Sequence, residues 1–211
     1  RQGVIPPEVI FAHPGFLRPC VGVKQPSEYA LILHGVDMVR TSDDKICVIG
    51  DRTQAPTGAG YALENRTVMT RVFPSLFRQS QVQRLAMFFQ TLRVKLNSLS
   101  PDDHLPNIVV LTPGSSSESY FEHAYLANYL GYSLVQGRDL TVRNGRVWMK
   151  SLSGLSRVDV IFRRVDDFYC DPAELKSDSY LGVPGLLEVI RAGKVVLSNP
   201  LGSGILESPL F

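Results

Sequence analysis

Residues 158–167, VDVIFRRVDD, impose the tightest constraint on the fold. A nearly continuous apolar run of this length suits a strand covered on both faces, as in a parallel sheet between layers of other elements. The run leads directly into Arg163, Arg164, Asp166 and Asp167. Four charges that cancel do not act as a solubility device in the way a run of one sign would, so the cluster either holds the local structure together or holds a ligand. In open α/β sheets ligands collect beyond the carboxyl ends of the strands, where this cluster falls.

The surrounding pattern supports such a sheet. NIVVLT, the turn PGSS, a helix from about Glu118 to Leu130 closed by Gly131, and YSLVQG form strand, helix and strand within about 30 residues, a βαβ unit. Two capping boxes are available at the helix start, Ser115 with Glu118 and Ser119 with Glu122. Asn144 and Gly145 between alternating residues signal a two-residue hairpin. PGLLEVIRAGK predicts a short helix ending at Gly193, and VVLSN another buried strand. Upstream, YALILHGVDMV and KICVIGDR flank Ser42, Asp43 and Asp44 as a hairpin. Val82, Leu85, Phe88, Phe89, Leu92 and Leu96 recur at spacings of three and four and predict a helix over 80–98 with Ser80 as its cap. The fold class expected is α/β: a strand-rich segment over 1–100 carrying that long helix, and a Rossmann-like segment over 101–211, the two packing as one body.

The 211 residues are 44% hydrophobic, enough for a substantial core, and the net charge of +2 is spread too evenly for a nucleic-acid stripe. No apolar stretch approaches the roughly 20 residues needed to span a bilayer, and RQGVIPPEV lacks a secretory signal pattern. Three cysteines without a C-x-x-C pair indicate neither a disulfide framework nor a zinc site, and a cytoplasmic setting is expected. The four histidines show no ligand spacing, and G-x-S-x-G is absent. The chain begins without Met and stops shortly after LGSGILESP, as expected of a piece of a longer protein.

Three stretches carry candidate chemistry. At 163–167 an arginine could take a carboxylate or phosphate on its planar fork, and an aspartate a cation or amine; mutual pairing of the four charges is the competing reading. The loop DRTQAPTGAGYALENR, residues 51–66, has glycines that let backbone N–H groups approach an anion, bracketed by Asp51, Arg52, Glu64, Asn65 and Arg66. It lacks both the G-K-[ST] ending of a P-loop and the third glycine of a dinucleotide fingerprint, so an ordinary turn explains it as well. TPGSSSE, ahead of a helix, could also receive an anion, and capping explains it equally.

The strings HPGFLRPCVG, DRTQAPTGAGYALENR, YFEHAYLANYLGYSLV, VDVIFRRVDDFYCDP and LGVPGLLEVIRAGKV, in this order along essentially the whole chain, resemble the circularly permuted ATP-grasp proteins of type 2, related to glutathionylspermidine synthase. The resemblance implies a bacterial ATP-dependent carboxylate–amine ligase that forms an amide or peptide bond through an acyl phosphate. ATP and magnesium are its cofactors, and small-molecule or peptide carboxylates and amines its substrates. It places Arg163, Arg164, Asp166 and Asp167 in the acceptor crevice, Arg52, Glu64, Asn65 and Arg66 near substrate or nucleotide, and Asp37 and Asp51 at the metal. Related members carry Glu-Asp-Asn where this chain has Gly50, Asp51 and Arg52, and Gln136 stands where a glutamate is usual. The family's ATP-gripping lysine and glycine-rich loop fall beyond these residues, in remaining segments of a parent chain, so the piece alone is expected not to complete catalysis. A non-catalytic binding or scaffold protein that keeps the fold is the alternative.

Overall fold

The computed structural model describes residues 5–24, 26–100, 102 and 104–209. Arg1 and Phe211, the two ends weighed above, and Pro101 and Asp103 lie outside the described residues. The fold is mixed α/β. In chain order it comprises α1 (Pro7–Phe11), β1 (Gly35–Arg40), β2 (Ile46–Arg52), α2 (Ala59–Val72), α3 (Pro74–Gln79), α4 (Ala86–Asn97), β3 (Ile108–Leu111), α5 (Tyr120–Leu130), β4 (Ser133–Val135), β5 (Leu140–Arg143), β6 (Arg146–Ser151), β7 (Gly154–Val158), β8 (Val160–Arg163), α6 (Leu186–Arg191) and β9 (Val196–Ser198).

The centre is a four-stranded sheet in the order β4-β3-β8-β9, every pair parallel. Successive side chains of a strand point to opposite faces, and both faces are covered. Val109, Leu111, Ile161 and Leu197 pack with α6 and the β5–β7 meander; Val110, Val160, Phe162 and Val196 pack with α4 and α5. Complete burial of such side chains contributes roughly 1.5–3 kcal/mol each, which explains why this sheet reads as uninterrupted apolar sequence. The β3–α5–β4 unit matches the expected βαβ, with Gly131 in the left-handed region at φ +77° closing the helix. Asn144 and Gly145 take φ values of +51° and +66° between β5 and β6, as a two-residue hairpin turn requires.

Three sequence expectations change. The helix foreseen over 80–98 starts later and is not capped by Ser80: Ser80 is the C-cap of α3, Gln81 turns the chain at φ +48°, and α4 starts only at Ala86. Its apolar period is kept by Phe89, Leu92 and Leu96, which are buried. The strand foreseen at VDVIFRR breaks at Asp159, so that Val158 ends the antiparallel meander and Val160 opens the parallel sheet. Asp159 is buried at the break, accepting from the Asn107 N–H at 2.9 Å and pairing with Arg157 at 2.7 Å. Finally, α5 begins at Tyr120, and Ser119 makes no side-chain capping bond.

The β1–β2 hairpin is a separate two-stranded sheet. Buried polar groups tie its base to the ends of the central strands. The Asn199 side chain accepts from the Ile32 and Leu33 N–H groups and donates to the Leu33 and Thr53 carbonyls. Thr53 donates its backbone N–H to Glu207 and its hydroxyl to the Ser203 carbonyl. This places the loop 53–58 directly over the carboxyl edge of the parallel sheet.

Candidate functional site: a cationic cavity beside an acidic crevice

Arg163 and Arg164 follow one another off β8 and therefore point apart. Arg163 is fully buried and donates to the carbonyls of Val165 at 2.7 Å, Asn199 at 3.2 Å and Pro200 at 3.4 Å. It fastens the chain after β8 to the chain after β9. Asp167, also buried, accepts from Gly202 and Gly204 N–H groups at 3.1 and 3.3 Å. Both charges are spent on backbone groups, and backbone groups buried at a loop need such partners.

Arg164 is placed differently. Its Nη2 donates to the Ala55 and Pro56 carbonyls, its guanidinium lies 5.3 Å from the centre of the Phe162 ring, and its Nε and Nη1 are buried without any partner. It lines a cavity of about 220 Å³ with Thr57, Ser117, Ser119, His123 and Asp166. Burial pushes the Arg164 pKa down to about 10, Glu122 acting against that shift and Arg163 with it. The group is still a cation near neutrality, and two of its donors are buried and unmet beside the cavity that the residue lines. Leaving such donors unmet costs about 1–3 kcal/mol or more, a cost that an anion seated there would remove.

His123 faces the same cavity, with its Nδ1 2.9 Å from the Thr112 hydroxyl. Burial, reinforced by Arg164, pushes its pKa down to about 4, so the imidazole is neutral at physiological pH. Asp166 stands at the rim, open to solvent over part of its surface while neighbouring groups crowd its carboxyl. Burial of its carboxyl raises its pKa, opposed by Arg163 and assisted by Asp167 and Glu207. Asp166, Ala55 and Thr57 also line a second, more polar crevice of about 540 Å³ whose other walls include Asp37, Arg52 and Glu207. A cationic chamber and an acidic one thus share a wall at Asp166.

The glycine loop does approach an anion, but one supplied by the chain itself. Glu122, fully buried, accepts from the Gly58 N–H at 2.8 and 2.9 Å and from the Gly60 N–H at 2.8 Å. The carboxylate read as half of a capping box on α5 caps α2 instead, at the helix end that favours negative charge. A Cβ on Gly60 would come within 2.8 Å of the Glu122 side chain, which explains the glycine.

Of the other sequence candidates, Asp37 is bound by Arg52 through Nε and Nη2 at 3.0 and 2.8 Å. Asp51 lies on the opposite face of the hairpin, 2.7 Å from His34. Glu64 and Arg66 sit along α2, Glu64 bonding to Tyr125 and Arg66 lining a groove against α3 and α4; Asn65 is exposed. The structure therefore brings Arg164 with Asp166, and Asp37 and Arg52 with Asp166, but does not bring Asp51, Glu64, Asn65 or Arg66 to them. Sequence reasoning missed His123 and Thr57; the one signal for His123 was its position one residue after a capping-box glutamate.

Among the described residues no three His, Cys, Asp or Glu side chains converge to hold a metal ion. Asp37 and Asp51 are each engaged by a basic side chain and point to opposite faces. This arrangement does not fit a magnesium site, and with the Gly58 and Gly60 N–H groups taken by Glu122 the loop does not fit a triphosphate grip.

Residues 1–211 match the family model described as circularly permuted ATP-grasp type 2. The chain belongs to that family. It is 46% identical over 209 residues to the uncharacterized protein Rv2567 of Mycobacterium tuberculosis, covering 99% of this chain and 24% of that protein. It is 42% identical over 212 residues to the uncharacterized protein sll0335 of Synechocystis, covering 100% and 44%, and 40% identical over 211 residues to Rv2411c of M. tuberculosis, covering 100% and 38%. The chain thus spans less than half the length of these relatives. Among the described residues no helix is long and apolar enough to cross a membrane.

Proposed function

We propose that the intact protein is an ATP-dependent carboxylate–amine ligase acting through an acyl phosphate, and that this chain supplies its acceptor crevice. The observation that carries the reading is Arg164, a buried guanidinium with two unpartnered donors on a residue that lines a cavity. The positive charge of a buried guanidinium suits a carboxylate, and neutral His123 and the hydroxyls of Thr57 and Ser119 add donors without adding charge. An amine entering the adjoining crevice meets Asp166. Because that carboxyl is shifted upward, it is better matched than an ordinary aspartate to take a proton from the bound ammonium, freeing the amine lone pair to attack the acyl phosphate and expel phosphate. Arg163 and Asp167 act as positioning residues that hold the loop. Family membership motivates ATP and magnesium as cofactors; the residues to hold them are sought in the remaining segments of the parent chain, and small-molecule or peptide carboxylates and amines are its substrates.

The test is ADP release by the intact protein with a panel of amino-acid carboxylates and small amines. Arg164→Gln should raise KM for the carboxylate at least tenfold, equivalent to about 1.4 kcal/mol, while Asp166→Asn should lower kcat. Unchanged constants in both variants would remove this crevice from the reaction.

A second reading is favoured by one observation, the Asp37–Arg52 ion pair at the position expected for metal ligands. In this reading the protein binds or scaffolds and does not catalyse. Calorimetry of the intact protein with ATP, with and without magnesium, separates the two: magnesium-dependent binding supports the ligase, and no binding supports the scaffold.

A further inference from the structure

The groove between α2, α3 and the start of α4 carries charge of one sign. Arg66 and Arg71 from α2, Arg78 from α3 and Arg84 from the connection into α4 line one cavity of about 730 Å³, and no aspartate or glutamate lines it. Among the described residues none of the four guanidinium groups takes a hydrogen bond or an ion pair, and the Nε of Arg66 is buried without a partner. Leu63, Phe77 and Leu85 complete the walls with apolar surface. For a chain whose net charge is only +2, four uncompensated cations around one cavity are a marked local concentration.

Like charges gathered without counterions repel, and no acid three or four residues away along the helix offsets these arginines, as such a pair would. Here the two helices and the connection present arginines to a common space, with apolar side chains between them. The cavity has the size of a small-molecule site, typically about 300–1,000 Å³, and is too confined for a nucleic-acid track. We infer that it binds a small organic polyanion: at least two phosphate or carboxylate groups on a partly apolar body, held by arginine forks. With no acidic side chain in the lining to share a cation, the ligand binds without a metal. The site is separate from the Arg164 cavity, where a single guanidinium meets a single anionic group.

Calorimetry of the intact protein with pyrophosphate and, separately, with citrate, both in the absence of divalent cations, tests the site and tells phosphate from carboxylate chemistry. Saturable binding of either probe is expected, weakening as salt rises. The double variant Arg66→Gln, Arg78→Gln should weaken it at least tenfold, while Arg40→Gln, on the distant hairpin, leaves it unchanged. Because repulsion is relieved, the double variant should melt at or above the parent temperature. If it fails to fold, Arg71→Gln and Arg84→Gln, both at exposed positions, carry the same test. Absence of binding by both probes, or binding undiminished by loss of these arginines, would overturn the site.

Discussion

His123 is a neutral base held in a buried setting, and its protonation sets a limit on the molecule in acid. Its pKa lies at about 4 in the folded chain against 6.5 for the free side chain. Between those values the unfolded chain binds more protons than the native one, so stability rises with pH across the interval. The contribution is complete above about pH 6.5 and is lost as the pH falls toward 4. Thermal melts from pH 7 to 4 should show a steeper decline for the parent than for His123→Gln, which keeps a hydrogen-bonding group near Thr112 without titrating. Equal slopes would place the acid sensitivity elsewhere.

At the level of elements, the junction of α2 with α5 depends on one carboxylate. Glu122→Gln removes the charge and turns an amide NH₂ toward N–H groups that need an acceptor. Hydrogen bonds to charged groups are worth about 1.5–3 kcal/mol, and urea unfolding should show a loss of about 2–3 kcal/mol; a loss below 1 kcal/mol would mean that water replaces the carboxylate there. The parallel strands and the β1–β2 and β5–β6 hairpins were legible in the sequence because apolar runs and turn residues express local physics; the β6–β7 hairpin was not, because Val158 reads as the start of the following buried strand. The carboxylate's destination was not legible. A Ser-x-x-Glu spacing describes a local capping box, whereas Glu122 reaches residues 62 and 64 positions upstream, a contact that only the packing of α2 on α5 creates. The division of labour between Arg163 and Arg164 was half legible: strand alternation says the two diverge, but not which one meets backbone carbonyls and which meets a cavity. The break at Gln81 lay hidden because Val82 and Leu85 continue the helical period across it.

For the whole molecule, stability should be graded. β3 and β8 are buried along their length, while Met38, Ile46, Val48 and Ile49 of the hairpin are largely exposed, and a two-stranded sheet is marginal alone. Hydrogen exchange should find the amides of β1 and β2 opening at much lower free energy than those of β3 and β8; equal protection would show the hairpin to be part of the cooperative core. The halves 1–100 and 101–211 meet through buried hydrogen bonds at Asn199, Thr53, Glu122 and Arg164, so one unfolding transition for the rest is the corresponding expectation. The grip of Glu122 on Gly58 and Gly60 has a consequence for how such a chain can vary. Ala55 and Pro56 hold Arg164, Gly58 and Gly60 hold Glu122, and Glu122 adjoins His123, so the links form a closed circuit around one cavity. Changes at these positions should be strongly non-additive: in a mutational library most single replacements drop out, and survivors arise as compensating sets that alter the loop and the helix together.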